Sequence, residues 1–165
     1  MNKLGMALAI VVLVGTPLSR AGAGPDPGGL EKLKTLVGEW EGKNREGESS
    51  HASYEIASDG SAVVEKLGSG TMHSMVTVYH KDGDRLMLTH YCGVGNQPRM
   101  RSEKASEPGV LRFAFVDATN LQSPDAGHMH RLALRFRDAD HLTQEWTWVE
   151  KGQEKTEVIE LARKK

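Results

Sequence analysis

Two imidazoles one residue apart, His128 and His130, would share one face of an extended strand, because strand side chains alternate with a period of two. With His90 or His73 as a third ligand they would form a donor set for zinc or copper, and Met72, Met75, Met100 and Met129 near Cys92 would suit cuprous ion. The simpler readings are preferred: histidines lining a polar cavity and bonded to Gln144 or water, and methionines filling an irregular core. Cys92 with His90 or His73 as base has the makings of a nucleophile, and Glu65 with Glu157 those of an acid–base pair. No oxyanion-hole signature accompanies the cysteine, no spacing fixes the two carboxylates, and Lys155 accounts for them equally well. Trp146 and Trp148 would stand on one strand face, suited to core packing and to stacking on a ligand. Arg99 could meet an anionic group or, the preferred reading, a nearby carboxylate. A phosphate loop, a dinucleotide fingerprint, a serine elbow and zinc-finger spacing are all missing from the sequence. No metal, cofactor or catalytic residue is therefore assigned.

The elements that must position these residues are strands. Leu30, Leu33, Leu36 and Val37 recur at helical spacing, which predicts a short amphipathic helix ended by Gly38. Beyond it, β-branched, aromatic and alternating residues are interrupted nine times by turn chemistry, from Glu46-Gly47-Glu48 through Ser58-Asp59-Gly60 and Lys81-Asp82-Gly83-Asp84 to Lys151-Gly152. Nine interruptions separate ten strands. No gap is long enough for a crossover helix, so the chain predicts an all-β antiparallel meander. Closure into a ten-stranded up-and-down barrel removes its edges, with a split sandwich as the alternative.

Alternation then sorts the side chains. Along 128–137, His128, His130, Leu132, Leu134 and Phe136 share a face, and Arg131, Arg135 and Arg137 the other. A loop at 138–140 sets Phe136 against Leu142, Leu134 against Gln144, Leu132 against Trp146 and His130 against Trp148. The turn at Lys151-Gly152 sets Trp148 against Lys155, Trp146 against Glu157, Gln144 against Ile159 and Leu142 against Leu161. A one-residue bulge would reverse these faces. The Asp82-Gly83 hairpin is read as pairing His80 with Arg85, which puts His73, Met75, Thr77, Tyr79, Leu86, Leu88, His90 and Cys92 on one face and the nearly as apolar Met72, Ser74, Val76, Val78, Met87, Thr89 and Tyr91 on the other; periodicity does not settle which is internal, and the first is preferred. Tyr54, Ile56, Val63, Glu65 and Leu67 share a face of the preceding hairpin.

The first 23 residues place Lys3 before an apolar run from Leu4 to Val14 and end in Ala21-Gly22-Ala23, the pattern of an export signal cleaved before Gly24. A retained anchor is the alternative, although the run is short for a membrane span. Residues 24–29 read as a flexible leader and 30–165 as the barrel domain. Cleavage leaves 19 Lys+Arg against 22 Asp+Glu, a net charge of −3, with no electrostatic footprint for nucleic acid. A single cysteine cannot form an internal disulfide.

The string Leu36-Val37-Gly38-Glu39-Trp40-Glu41-Gly42 after a short helix resembles the Gly-x-Trp opening of calycin barrels, the lipocalins and fatty-acid-binding proteins. That resemblance implies that Trp40 closes the barrel floor and that Arg163, from the last strand, covers it. HSMVTVYHKDGDRLMLTHYCGVGNQPRM and DADHLTQEWTW are similar to exported bacterial lipocalin-like domains of unknown function, and the resemblance runs from Leu30 to Arg163. More distantly the chain resembles the nitrobindin barrel, where a histidine near the C-terminal strand ligates haem iron. The last histidine here is His141, so that ligand is not carried over.

Together these features point to a non-enzymatic periplasmic or secreted barrel holding a small hydrophobic or amphipathic molecule. Trp146, Trp148 and Leu132 are the expected walls, and His128, His130, Gln144, Glu157 and His90 the expected polar contacts. A histidine metal site and an enzyme using the same cavity are the alternatives.

Overall fold

The computed structural model describes residues 28–69, 74–104 and 107–165. The expected export signal and most of the leader lie outside the described residues, as do Met72 and His73. A helix, α1 (Gly29–Lys34), precedes ten strands: β1 (Gly38–Asn44), β2 (Ser49–Ala57), β3 (Ala62–Ser69), β4 (Met75–Asp82), β5 (Arg85–Tyr91), β6 (Gln97–Ser102), β7 (Val110–Thr119), β8 (His128–Phe136), β9 (His141–Glu150) and β10 (Gln153–Arg163). Each pairs antiparallel with its sequence neighbour, and β1 pairs with β10, so the sheet is a closed barrel. The ten-stranded up-and-down architecture read from the turn chemistry is the architecture observed.

The helix ends earlier than the apolar pattern suggested. Leu30, Leu33 and Leu36 are buried against the barrel, but the chain leaves α1 at Thr35 and Val37 is 41 % exposed. Trp40 fills the floor beside the helix: its Nε1 donates to the Leu36 carbonyl at 2.7 Å, and the Arg163 guanidinium lies 4.4 Å from its ring. Arg163 also donates to the Val37 and Thr35 carbonyls at 2.7 and 2.8 Å, tying the last strand to the helix exit. A planar fork with a cation–π face does both tasks at once.

Turn geometry fixes most registers. Lys151 and Gly152 both have positive φ, as a type I′ loop requires, and β9 and β10 pair as expected: Trp148↔Lys155, Trp146↔Glu157, Gln144↔Ile159, Leu142↔Leu161. In the β4–β5 hairpin the two-residue loop is Gly83-Asp84, so Arg85 pairs with Asp82 and His80 with Met87, correcting the expected His80–Arg85 pair. The shift is two residues, so the faces survive: Met75, Thr77, Tyr79, Leu86, Leu88 and His90 are all buried.

A second correction falls on the histidines. Leu132↔Trp146, Leu134↔Gln144 and Phe136↔Leu142 pair as expected, but the β8–β9 register shifts between Met129 and Arg131. His130 is the extra residue of this bulge, and Met129 stands opposite Trp148 in its place.

Candidate functional site

Hairpin geometry brings polar side chains together at mid-height in the lumen. The β2–β3 register sets Tyr54 beside Glu65, and the β3–β4 register sets Glu65 beside Thr77, two residues from Tyr79. Tyr54 Oη donates to Glu65 Oε1 at 2.8 Å and Tyr79 Oη to Glu65 Oε2 at 2.7 Å. From the opposite wall, Gln144 Nε2 donates to Glu65 Oε1 at 2.5 Å and to Tyr54 Oη at 2.6 Å. Trp146 Nε1 fixes that amide by donating to Gln144 Oε1 at 2.8 Å. Burial pushes the Glu65 carboxyl up from its usual range, and the surrounding donors oppose the shift. Both tyrosine hydroxyls are held well above their ordinary pKa by burial and the adjoining carboxylate.

His90 borders this group. Its Nδ1 lies 2.9 Å from Thr77 Oγ1 and its ring 4.6 Å from that of Trp146, while Nε2 is buried with no partner among the described residues. Burial lowers its pKa from 6.5 to about 4. The neutral ring is therefore the folded form, whereas the unfolded chain takes up a proton near pH 6.5. The stability this contributes is complete above the unfolded pKa and is lost as pH falls from about 6.5 to about 4, reaching about 3 kcal/mol. Glu65, with its pKa raised, acts in the opposite sense: its contribution is complete below the unfolded carboxyl pKa and is lost as pH rises through the folded one. Urea midpoints between pH 7 and 4 are expected to fall more steeply for the wild type than for His90→Phe, and equal slopes would contradict the assignment.

Above this layer, at the end away from α1, a pocket of about 400 Å³ is lined by Met75, Cys92, Gly93, Val94, Met129, Trp146, Trp148, Lys155 and Glu157. Its wall is almost wholly apolar. Lys155 and Glu157, one step apart on the inward face of β10, are its only charged members among the described residues; Asn44 Nδ2 donates to Glu157 Oε1 at 3.3 Å. Trp148 is seated against Gly127, where a Cβ would come within 2.1 Å of its Cζ2. Gly127→Ala is expected to push the indole out of the wall, cost roughly 1–2 kcal/mol and shift tryptophan emission. Emission spectra with a urea titration check this; an unchanged spectrum would contradict it.

Of the expected contacts, Trp146, Trp148 and Glu157 line this pocket. Leu132 and Gln144 are buried deeper, and His90 sits one layer down behind Trp146. His128 and His130 gather beside Phe115 of β7, where the β7–β8 register ends at Ala114↔Arg131. His128 Nε2 lies 3.1 Å from His130 Nδ1, and His128 Nδ1 lies 2.9 Å from the Ala126 carbonyl. Partial burial and the neighbouring His128 and Arg131 charges lower the His130 pKa, opposed by Glu154. No group of three or more His, Cys, Asp or Glu able to hold a metal occurs among the described residues. Among the described residues no histidine lines the pocket.

Glu65 and Glu157 occupy different layers with different partners, and so do not form a carboxylate pair. Arg99 pairs with Asp117 across β6 and β7, its Nε donating to Oδ1 at 2.6 Å. Sequence reasoning missed the Tyr54 and Tyr79 hydroxyls as polar contacts, although alternation grouped each with its face, and Met75, Cys92, Val94 and Met129 as pocket walls.

No protein-family model matches the chain, and no curated protein sequence matches it significantly. Among solved structures, the crystal structure of Rv2717c from M. tuberculosis superposes with a TM-score of 0.58 at 16 % identity, covering 86 % of this chain and 99 % of that one. At that identity the likeness shows a shared barrel fold.

Proposed function

We propose that this protein is an exported, non-enzymatic barrel of calycin type that holds a small, largely apolar molecule in the pocket at its open end. The observation that carries the reading is the pocket itself: two indoles, two methionines, Cys92 and Val94 around about 400 Å³, with Lys155 and Glu157 the only charges among the described residues. Apolar walls with a few placed polar groups are the usual form of a small-molecule site. Export is supported by the N-terminal pattern, and the calycin assignment by the stacking of Arg163 on Trp40.

Native mass spectrometry of the protein from its own host, followed by denaturation, is expected to release one organic molecule per chain, from a chain that begins at Gly24. Release of a metal ion with no organic molecule would contradict the reading, and a chain retaining residues 1–23 would contradict export.

A further inference from the structure

The buried His90 Nε2 has no hydrogen-bond partner among the described residues, although the polar groups beside it are satisfied. Tyr54, Tyr79 and Gln144 all donate to the Glu65 carboxylate, and Thr77 stands directly opposite it across β3 and β4. A hydroxyl has one proton, and a carboxylate is the stronger acceptor, so a Thr77 proton turned towards Glu65 leaves its oxygen to accept from His90 Nδ1–H. That tautomer leaves Nε2 as a bare acceptor.

Its position relates it to the pocket. Along the inward faces of β4 and β5, Met75 and Cys92 stand two residues beyond Thr77 and His90 towards the open end, and both line the pocket. Trp146, against the His90 ring, lines it too. The His90 ring thus lies behind the pocket-lining Trp146, one inward-facing position deeper than Met75 and Cys92. The surrounding charge is also one-sided: Glu65 is a buried carboxylate, and no Lys or Arg is buried among the described residues. An acid carried to the inner end would meet a like charge with no buried cation beside it, Lys155 standing nearer the mouth, whereas a donor group would meet a free lone pair.

We propose that His90 Nε2 is the inner anchor of the pocket, and that the ligand is a neutral, mainly apolar molecule whose leading end carries one hydroxyl or N–H donor. This rests on the binding reading above. Met75, unbranched and with three rotatable bonds, is the wall residue that turns aside to admit the donor. Thr77 and Glu65 hold the imidazole in its accepting tautomer.

Three probes of similar shape test this: 2-naphthol, 2-methylnaphthalene and 2-naphthoate, titrated against the wild type and His90→Phe by calorimetry. In the wild type 2-naphthol is expected to bind about tenfold more tightly than 2-methylnaphthalene, with 2-naphthoate weakest. In His90→Phe the advantage of the naphthol disappears while 2-methylnaphthalene still binds. Should that variant not fold, the ¹⁵N shift of wild-type His90 Nε2 gives the answer, because it must move on saturation with 2-naphthol and stay in place with 2-methylnaphthalene. Equal binding of the two neutral probes, tighter binding of the naphthoate, or an unmoved Nε2 would overturn the anchor and leave the pocket reading standing. Failure of all three to bind would overturn both.

Discussion

Gly42→Ala is expected to destabilise the protein by roughly 3 kcal/mol or more, and to do so by opening one seam of the barrel. Gly42 pairs with Leu161 where β1 and β10 close the sheet. A Cβ there would stand 1.8 Å from the Glu160 carbonyl oxygen and 3.0 Å from Leu161 Cα. These are backbone atoms, which cannot swing aside as a side-chain end can, so the strands must part. Glycine in a strand marks such close approaches. Urea unfolding should show the loss, and amide exchange should show protection falling first in β1 and β10. A midpoint within 0.5 kcal/mol of wild type, on the order of an ordinary surface substitution, would contradict it.

Glu65→Leu is expected to cost about 3–5 kcal/mol, since it strands two tyrosine hydroxyls and one Gln144 hydrogen in the lumen. Tyr79→Phe removes a single donor and should cost only about 1 kcal/mol. Once Glu65 is gone that hydroxyl has nothing to bond to, so adding Tyr79→Phe to Glu65→Leu should recover stability. A double-mutant cycle measures the coupling directly. Simple additivity would mean that the four groups are not the network described.

These two sites differ in how far the sequence discloses them. Turn chemistry and alternation were enough for ten strands, for the β9–β10 register and for grouping Tyr54 with Glu65 and Thr77 with His90 on shared faces. Those are local properties, set by which residues accept positive φ and by the two-residue period. They were not enough for choosing which face of the β4–β5 hairpin is internal, because the two are nearly equally apolar. The bulge at His130 was not legible, because Met129, His130 and Arg131 can each take either face and alternation does not mark the extra residue. That single insertion moved Met129 opposite Trp148, so that Met129 lines the pocket, and left the two histidines with Phe115. The one available signal was Gly127, the small residue on which Trp148 rests. Convergence of Tyr54, Tyr79 and Gln144 on one carboxylate depends on opposite barrel walls meeting, and spacing within a hairpin does not encode it. The Gly42 contact is likewise a consequence of closure, between residues more than a hundred positions apart.

The central claim, that the open-end pocket is the binding site, is tested most directly by titrating N-phenyl-1-naphthylamine, a neutral apolar fluorophore, into the wild type and Met129→Trp. Met129 lines the cavity, and an indole in its place would occupy much of the space. The expected result is saturable one-to-one binding to the wild type, with quenching of Trp146 and Trp148, and loss of binding in a Met129→Trp protein that unfolds at an unchanged urea midpoint. Absence of saturable binding, or binding that the filled pocket leaves intact, would contradict the account.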